Sequence, residues 1–191
     1  MRKNFIYHKR KAYSSTFCHS MQKYFEENST LHQPGRVASQ IGPTLDIESL
    51  KDKEITLDIS GDWWNIKGPL SEGIVEYKKI YPGLDTSVRR WSLFLTCQLM
   101  KYEPGDAYWQ EHYENDGYGH ISERLMGWMI YLNDIQEGGG TMFTQQNFIA
   151  RPREGDLYIW PAAWTHLHKG IVAPKEYKYI ITGWCNYLDE K

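Results

Sequence analysis

At 191 residues the chain is long enough for one domain with a real core and does not require a second. Lys and Arg number 22 against 24 Asp and Glu, a formal net charge of −2, which removes any global bias toward nucleic acid or an anionic membrane. A composition that is 41% hydrophobic and 15% aromatic excludes a disordered chain.

In chain order, Met1 to Lys11 is basic but has no apolar segment behind it, and no apolar run approaches a membrane span. Cys18, Cys97 and Cys185 are an odd set without close spacing, which argues against a disulfide framework or a Cys-type zinc site. A soluble, cytoplasmic protein without a membrane partner is the expectation. Phe5 to Tyr7 can form a short strand, and Ser14, Ser15 and Thr16 offer N-caps for a helix with Phe17, Met21, Tyr24 and Phe25 at helical spacing. Residues 33–54 are polar and punctuated by Pro and Gly, and read as a loop. Glu54 to Ile59 alternates polar and apolar residues as a half-buried strand does. Ser71 is a cap candidate for a second helix holding Ile74, Val75, Tyr77 and Ile80, which Pro82-Gly83 stops. The pair Trp63-Trp64 reads as helix packing.

From Trp91 onward strands dominate. Ser92 to Tyr102, Leu125 to Leu132, Thr141 to Phe143, Leu157 to Trp160, the segment at His168, and Tyr177 to Trp184 are separated by turn signals such as Glu103-Pro104-Gly105 and Pro152 to Asp156. Short strands at this spacing indicate a sandwich or barrel.

Within this region, His112 and Glu114 would project to one face of a strand and could share an ion. Glu111 and Asp116 are competing carboxylates. His166 and His168 are both candidates for a further ligand, and one of them is expected to be a hydrogen-bonded core residue. Two His and one carboxylate on a single ion leave coordination positions open, the face of non-haem Fe(II) oxygenases. Lys178 shares a strand face with Ile180, Thr182 and Trp184, so its ammonium would be partly buried and would need an anionic partner.

Tyr102-x-x-Gly105-x-x-Tyr108-x-x-x-His112-x-Glu114, Arg124, Tyr131 to Asp134, Gly138-Gly139-Gly140-Thr141-x-Phe143, Pro152-x-x-Gly155 and His168-x-Gly170 with Lys178 and Trp184 occur in that order. Together they resemble the catalytic core of the 2-oxoglutarate- and Fe(II)-dependent dioxygenases, and most of all the prolyl 4-hydroxylase-like branch. The resemblance implies a mainly β fold with supporting α-helices, built on a double-stranded β-helix (a cupin-like jelly roll). It implies one domain over residues 1–191, with 1–90 as N-terminal helical support and 91–188 as the jelly-roll core. His112, Glu114 and His168 would hold Fe(II), and the position of Lys178 ten residues later selects His168 over His166. Lys178 would pair with the distal carboxylate of 2-oxoglutarate, Tyr102 or Tyr131 would donate a hydroxyl to it, and Thr182 would assist. Trp184 would pack behind the iron, and Arg124 would lie toward the prime substrate. The family's carboxylate is usually Asp. Glu114 adds one methylene, so the backbone must compensate.

The implied chemistry takes Fe(II), 2-oxoglutarate and O₂, admits ascorbate as an addition, and hydroxylates an unactivated C–H bond with release of succinate and CO₂. The first expected substrate is a peptidyl proline. The alternatives are a free amino acid, small metabolite or nucleobase, although near-neutral charge disfavours nucleic acid. A jelly-roll binding module with a vestigial metal site is a third reading. A zinc hydrolase ranks lower because it gives Lys178 no role.

Overall fold

The computed structural model describes residues 4–37 and 44–188. Two antiparallel sheets face each other. The larger runs in the order β1 (Tyr7–Lys9), β8 (Leu157–Pro161), β5 (Arg124–Tyr131), β10 (Lys178–Tyr187), β4 (Trp91–Tyr102), β3 (Lys53–Asp58) and β2 (Gln33–Pro34). The smaller consists of β7 (Phe148–Ala150), β6 (Thr141–Phe143) and β9 (His168–Gly170). A single antiparallel bridge between His112 and His168 extends it beyond β9. Two facing sheets answer the sandwich that the strand spacing indicates, and their arrangement is the jelly roll that the resemblance implies.

Strand alternation gives the larger sheet two distinct faces. On one, Leu57, Leu99, Trp128, Ile130, Ile159 and Ile181 pack against helices α1 (Ser15–Glu27) and α2 (Lys67–Ile80) through Met21, Phe25, Leu70 and Ile74. On the other, Met100, Tyr102, Met129, Tyr131, Tyr158, Trp160 and Ile180 meet Phe143 and Ala150 of the smaller sheet. β5 reads as an unbroken apolar run because both of its faces are covered.

α1 starts where the sequence predicts: Ser14 Oγ accepts from Phe17 N at 3.2 Å, and the helix ends at Asn28. α2 starts five residues earlier than a Ser71 cap would allow, with Ile66 at the cap position where Ser71 was expected. Its entry is continuous with a short 3₁₀ turn at Trp64–Ile66, so Ile66 is already helical and no side-chain cap is used. Pro69 in the first turn is the better marker of that start, since its missing N–H has no partner to lose there. Trp63 packs edge-on to Tyr24 of α1, while Trp64 is exposed. The first ninety residues do more than supply helices. β1 pairs with β8, and β3 pairs with β4 along its whole length, so the N-terminal part widens the larger sheet. Of the expected loop over 33–54, the described residues form β2, a bridge between Val37 and Thr44 and the start of β3; residues 38–43 lie outside the described residues, as does the start of the basic N-terminus at 1–3.

Candidate active site

The site is assembled where the smaller sheet ends. His112 N donates to His168 O at 3.0 Å and His168 N donates to His112 O at 2.9 Å, a reciprocal pair that sets the two imidazoles side by side, 4.4 Å between ring centroids. His112 lies outside any strand and is held by this one bridge. The side chains of His112 and Glu114 nevertheless converge as expected. Gly170 permits the approach: its N donates to Tyr108 O at 2.7 Å, and a Cβ there would sit 3.1 Å from Tyr108 N. That is the physical content of the His-x-Gly motif.

Each imidazole has one nitrogen tied to a carbonyl, which can only accept. His112 Nδ1 donates to Gln110 O at 2.9 Å, and His168 Nδ1 donates to His166 O at 2.8 Å. In the neutral rings both Nε2 atoms therefore carry lone pairs. The faces are fixed as well. Tyr108 stacks on His112 at 3.7 Å between centroids, and Phe143 and Trp160 flank His168 at 5.1 and 5.4 Å. Burial lowers His112 to about 4, with further lowering from His168, so the ring is neutral near neutral pH.

Glu114 completes the group. Its backbone N donates to Ala162 O at 3.1 Å, and Arg124 Nη1 donates to its carbonyl at 3.3 Å. Its Oε1 lies 3.2 Å from His168 Nε2, and its Oε2 accepts from Trp184 Nε1 at 2.8 Å. Burial alone would raise this carboxyl, but its close contact with His168, with His112 and Arg124 nearby, outweighs it and holds Glu114 well below the usual range. One ligand atom each from His112, Glu114 and His168 lies within 4.8 Å of the others. Two imidazole lone pairs and a carboxylate oxygen converging at this distance repel one another unless a cation sits among them. The donor set, two nitrogens and one oxygen with open positions beyond, fits Fe(II).

A cavity of about 490 Å³ opens from this group, a size suited to a small molecule. Lys178 lies in its wall, 4% exposed, with its ammonium 4.6 Å from the Tyr102 ring centroid and no hydrogen bond or ion pair among the described residues. Burial lowers it to about 8, against an upward pull from Asp52. A buried cation in a cavity wall, with no carboxylate in contact with it among the described residues, is a site for an anion, and a dicarboxylate held at the metal would suit it. The register places Lys178 across from Tyr102, and Thr182 across from Gln98. Thr182 lines the cavity while its Oγ1 donates to Trp128 O at 2.9 Å. Tyr131 stands one step back: its hydroxyl donates to Ala150 O at 3.1 Å and lies 3.0 Å from the hydroxyl of Thr141, which lines the cavity. Of the two tyrosines, Tyr102 is the one in the wall.

His166 is the core histidine. It sits in a 3₁₀ turn at Trp164–His166 rather than on β9, with Nε2 bonded to Asn4 O at 3.0 Å and Nδ1 to Thr165 Oγ1 at 3.0 Å. Asp116 accepts from Tyr118 N in a local turn, and Glu111 is exposed; both line the cavity mouth outside the ligand group. Two residues beside the site are not assigned a role by pattern reading. Tyr108 is visible in the sequence only as a motif position, yet it braces His112. Asp52, 9% exposed with Oδ2 unbonded, continues the row of Tyr102 and Lys178, and burial and Glu54 push it up to about 7. Nothing in a polar loop sequence marks it.

Residues 97–186 match the family model of the 2OG-Fe(II) oxygenase superfamily. That segment, a little under half of the chain, is similar to that superfamily. A curated plant relative named "Probable prolyl 4-hydroxylase 9", from Arabidopsis thaliana, is 27% identical over 119 residues, 49% of this chain and 41% of that protein, so the chain spans about two fifths of that relative's length. Among solved structures, the fold is shared with a viral collagen prolyl hydroxylase from Paramecium bursaria Chlorella virus-1, in its 2-oxoglutarate complex (TM-score 0.70, 15% identity, 97% of each chain). It is shared as well with a Trichoplax adhaerens prolyl hydroxylase in complex with a hypoxia inducible factor peptide fragment (TM-score 0.75, 16% identity, 97% of this chain and 84% of that one). The fold is thus the double-stranded β-helix of these oxygenases, whose family name specifies Fe(II) and 2-oxoglutarate.

Proposed function

We propose that the chain is an Fe(II)- and 2-oxoglutarate-dependent dioxygenase of the prolyl 4-hydroxylase-like branch, hydroxylating a proline within a peptide. The observation that carries it is the unpaired, buried Lys178 in the same cavity as His112, Glu114 and His168. The peptide substrate is supported by the relatives, which are prolyl hydroxylases.

In this reading His112 Nε2, Glu114 Oε1 and His168 Nε2 hold Fe(II). Lys178 takes the distal carboxylate of 2-oxoglutarate, and Tyr102 packs beneath the ammonium with its hydroxyl toward the same end. Thr182 assists, and Tyr131 braces the opposite wall through Thr141. When bound, the metal and cosubstrate supply O₂ activation: one oxygen atom enters the substrate C–H bond, and the other enters the succinate formed as 2-oxoglutarate loses CO₂. Met129, Trp160 and Ile180 give the cavity apolar walls that exclude water, so charges inside it act at full strength. The N-terminal strands and helices continue the sheet and core of the oxygenase segment, which supports reading 1–191 as one domain. No helix among the described residues is long and apolar enough to cross a membrane.

Anaerobically purified protein given Fe(II), 2-oxoglutarate, air and Pro-rich peptides should add the mass of one oxygen atom to proline, with matching succinate. Succinate release driven by a free amino acid or metabolite, with no gain on any peptide, would reassign the substrate and keep the chemistry.

A further inference from the structure

Glu114 has one more side-chain methylene, roughly 1.5 Å of chain, than an aspartate would, and an additional torsion through which it can swing. A carboxylate that flexible can offer a metal one oxygen or both. Both would occupy a position that cosubstrate and O₂ require, since three single-atom protein ligands leave three sites on an octahedral ion. The structure holds one of the two oxygens aside. Oε2 accepts the indole N–H of Trp184 at 2.8 Å, while Oε1 faces His168 Nε2 at 3.2 Å. The indole is itself held: the Arg124 guanidinium lies 3.6 Å from its ring centroid, and Nη1 of the same arginine lies 3.6 Å from Glu114 Oε2 and donates to Glu114 O. The Trp184 backbone is also set apart. β10 pairs Trp184 with Gly127 of β5, but the ladder with β4 slips between Gly183 and Cys185 and skips Trp184. Irregularities of this kind re-aim side chains beside active sites.

We propose that Trp184, pinned by Arg124, is a positioning residue that keeps Glu114 a single-oxygen ligand through Oε1 and so preserves the open coordination positions. The inference rests on the reading that His112, Glu114 and His168 hold the metal. Arg124, with its guanidinium taken up between Trp184 and Glu114, serves the ligand set rather than the substrate directly.

The test separates the N–H from the ring. Trp184→Phe removes the donor with part of the surface; replacement of Trp184 by benzothienylalanine removes the donor and keeps the bicyclic shape. Mn(II) affinity, and the 2-oxoglutarate affinity of the Mn(II)-loaded protein, are measured by calorimetry at fixed pH, with thermal melting of the metal-free proteins alongside. The expected result is Mn(II) affinity at least equal to wild type and roughly 10- to 100-fold weaker 2-oxoglutarate binding in both variants, with the melting of the benzothienylalanine protein unchanged. Weaker 2-oxoglutarate binding in Trp184→Phe alone would overturn the proposal in favour of packing, and unchanged 2-oxoglutarate affinity in both would overturn it outright. Wild-type protein that binds no Mn(II) would remove the ligand assignment itself, a different failure from normal wild-type binding with indifferent variants.

Discussion

The two faces of the larger sheet share strands and hydrogen bonds but differ in what they bury. The helix-side face is filled by Leu57, Leu99, Trp128, Ile130, Ile159 and Ile181. The cavity-side face, one residue out of step on the same strands, carries Tyr102, Thr182 and a buried Lys178 that has no ion pair among the described residues. One face holds the fold together and the other gives up stability to hold a ligand, because an unpaired buried cation costs free energy until an anion arrives. Alternation lets one strand serve both ends: in β10, Ile181 and Cys185 belong to the core, and Lys178, Thr182 and Trp184 to the cavity.

Mutations placed on each face should break that contrast in opposite directions. The largest effect is expected at the ligand group, where His112→Ala or His168→Ala should abolish metal-dependent turnover, a loss of at least ~10³-fold in kcat/KM, with the melting temperature of the metal-free protein little changed. Next is Lys178→Met, which should raise the KM for 2-oxoglutarate by about 10- to 100-fold yet stabilise the cosubstrate-free protein by roughly 1–3 kcal/mol, read from denaturant unfolding. On the other face Leu99→Ala should cost about 2–5 kcal/mol and leave the KM for 2-oxoglutarate unchanged in the folded fraction.

Lys178 also gives the stability gain a pH signature. Its folded value of about 8 lies below the ordinary 10.5, so between these values the unfolded chain holds a proton that the folded chain has released. The wild-type deficit relative to Lys178→Met should therefore be full below pH 8 and shrink as pH rises toward 10.5, in urea titrations of the two proteins. The smallest effect is expected at Ser14→Ala, which should cost about 1 kcal/mol through the lost cap on α1 with activity unchanged.

Much of this was legible in the sequence for a definable reason. Strand alternation and turn residues mark β4, β5, β8 and β10 because each is a local pattern. His112, Glu114, His168 and Lys178 could be selected because their order and spacing match a known core. What stayed hidden depends on contacts between distant segments. The start of α2 is set by its continuity with the turn at Trp64–Ile66, which overrides the cap signal at Ser71. The strand role of β2 comes from its partner, since two residues carry no periodicity of their own, and pairing with β8 sets β1 at Tyr7–Lys9, two residues beyond the short strand expected from Phe5 to Tyr7. Asp52 acts on Lys178 only as a nearby charge, and the grip of Trp184 on Glu114 spans 70 positions of chain.

The central claim is that His112, Glu114 and His168 form one metal site, and a metal titration addresses it most directly. Fe(II) or Mn(II) added anaerobically to the wild-type chain should bind at a single site, and the binding should vanish in His112→Ala and in His168→Ala. Unchanged binding in both variants would contradict the account.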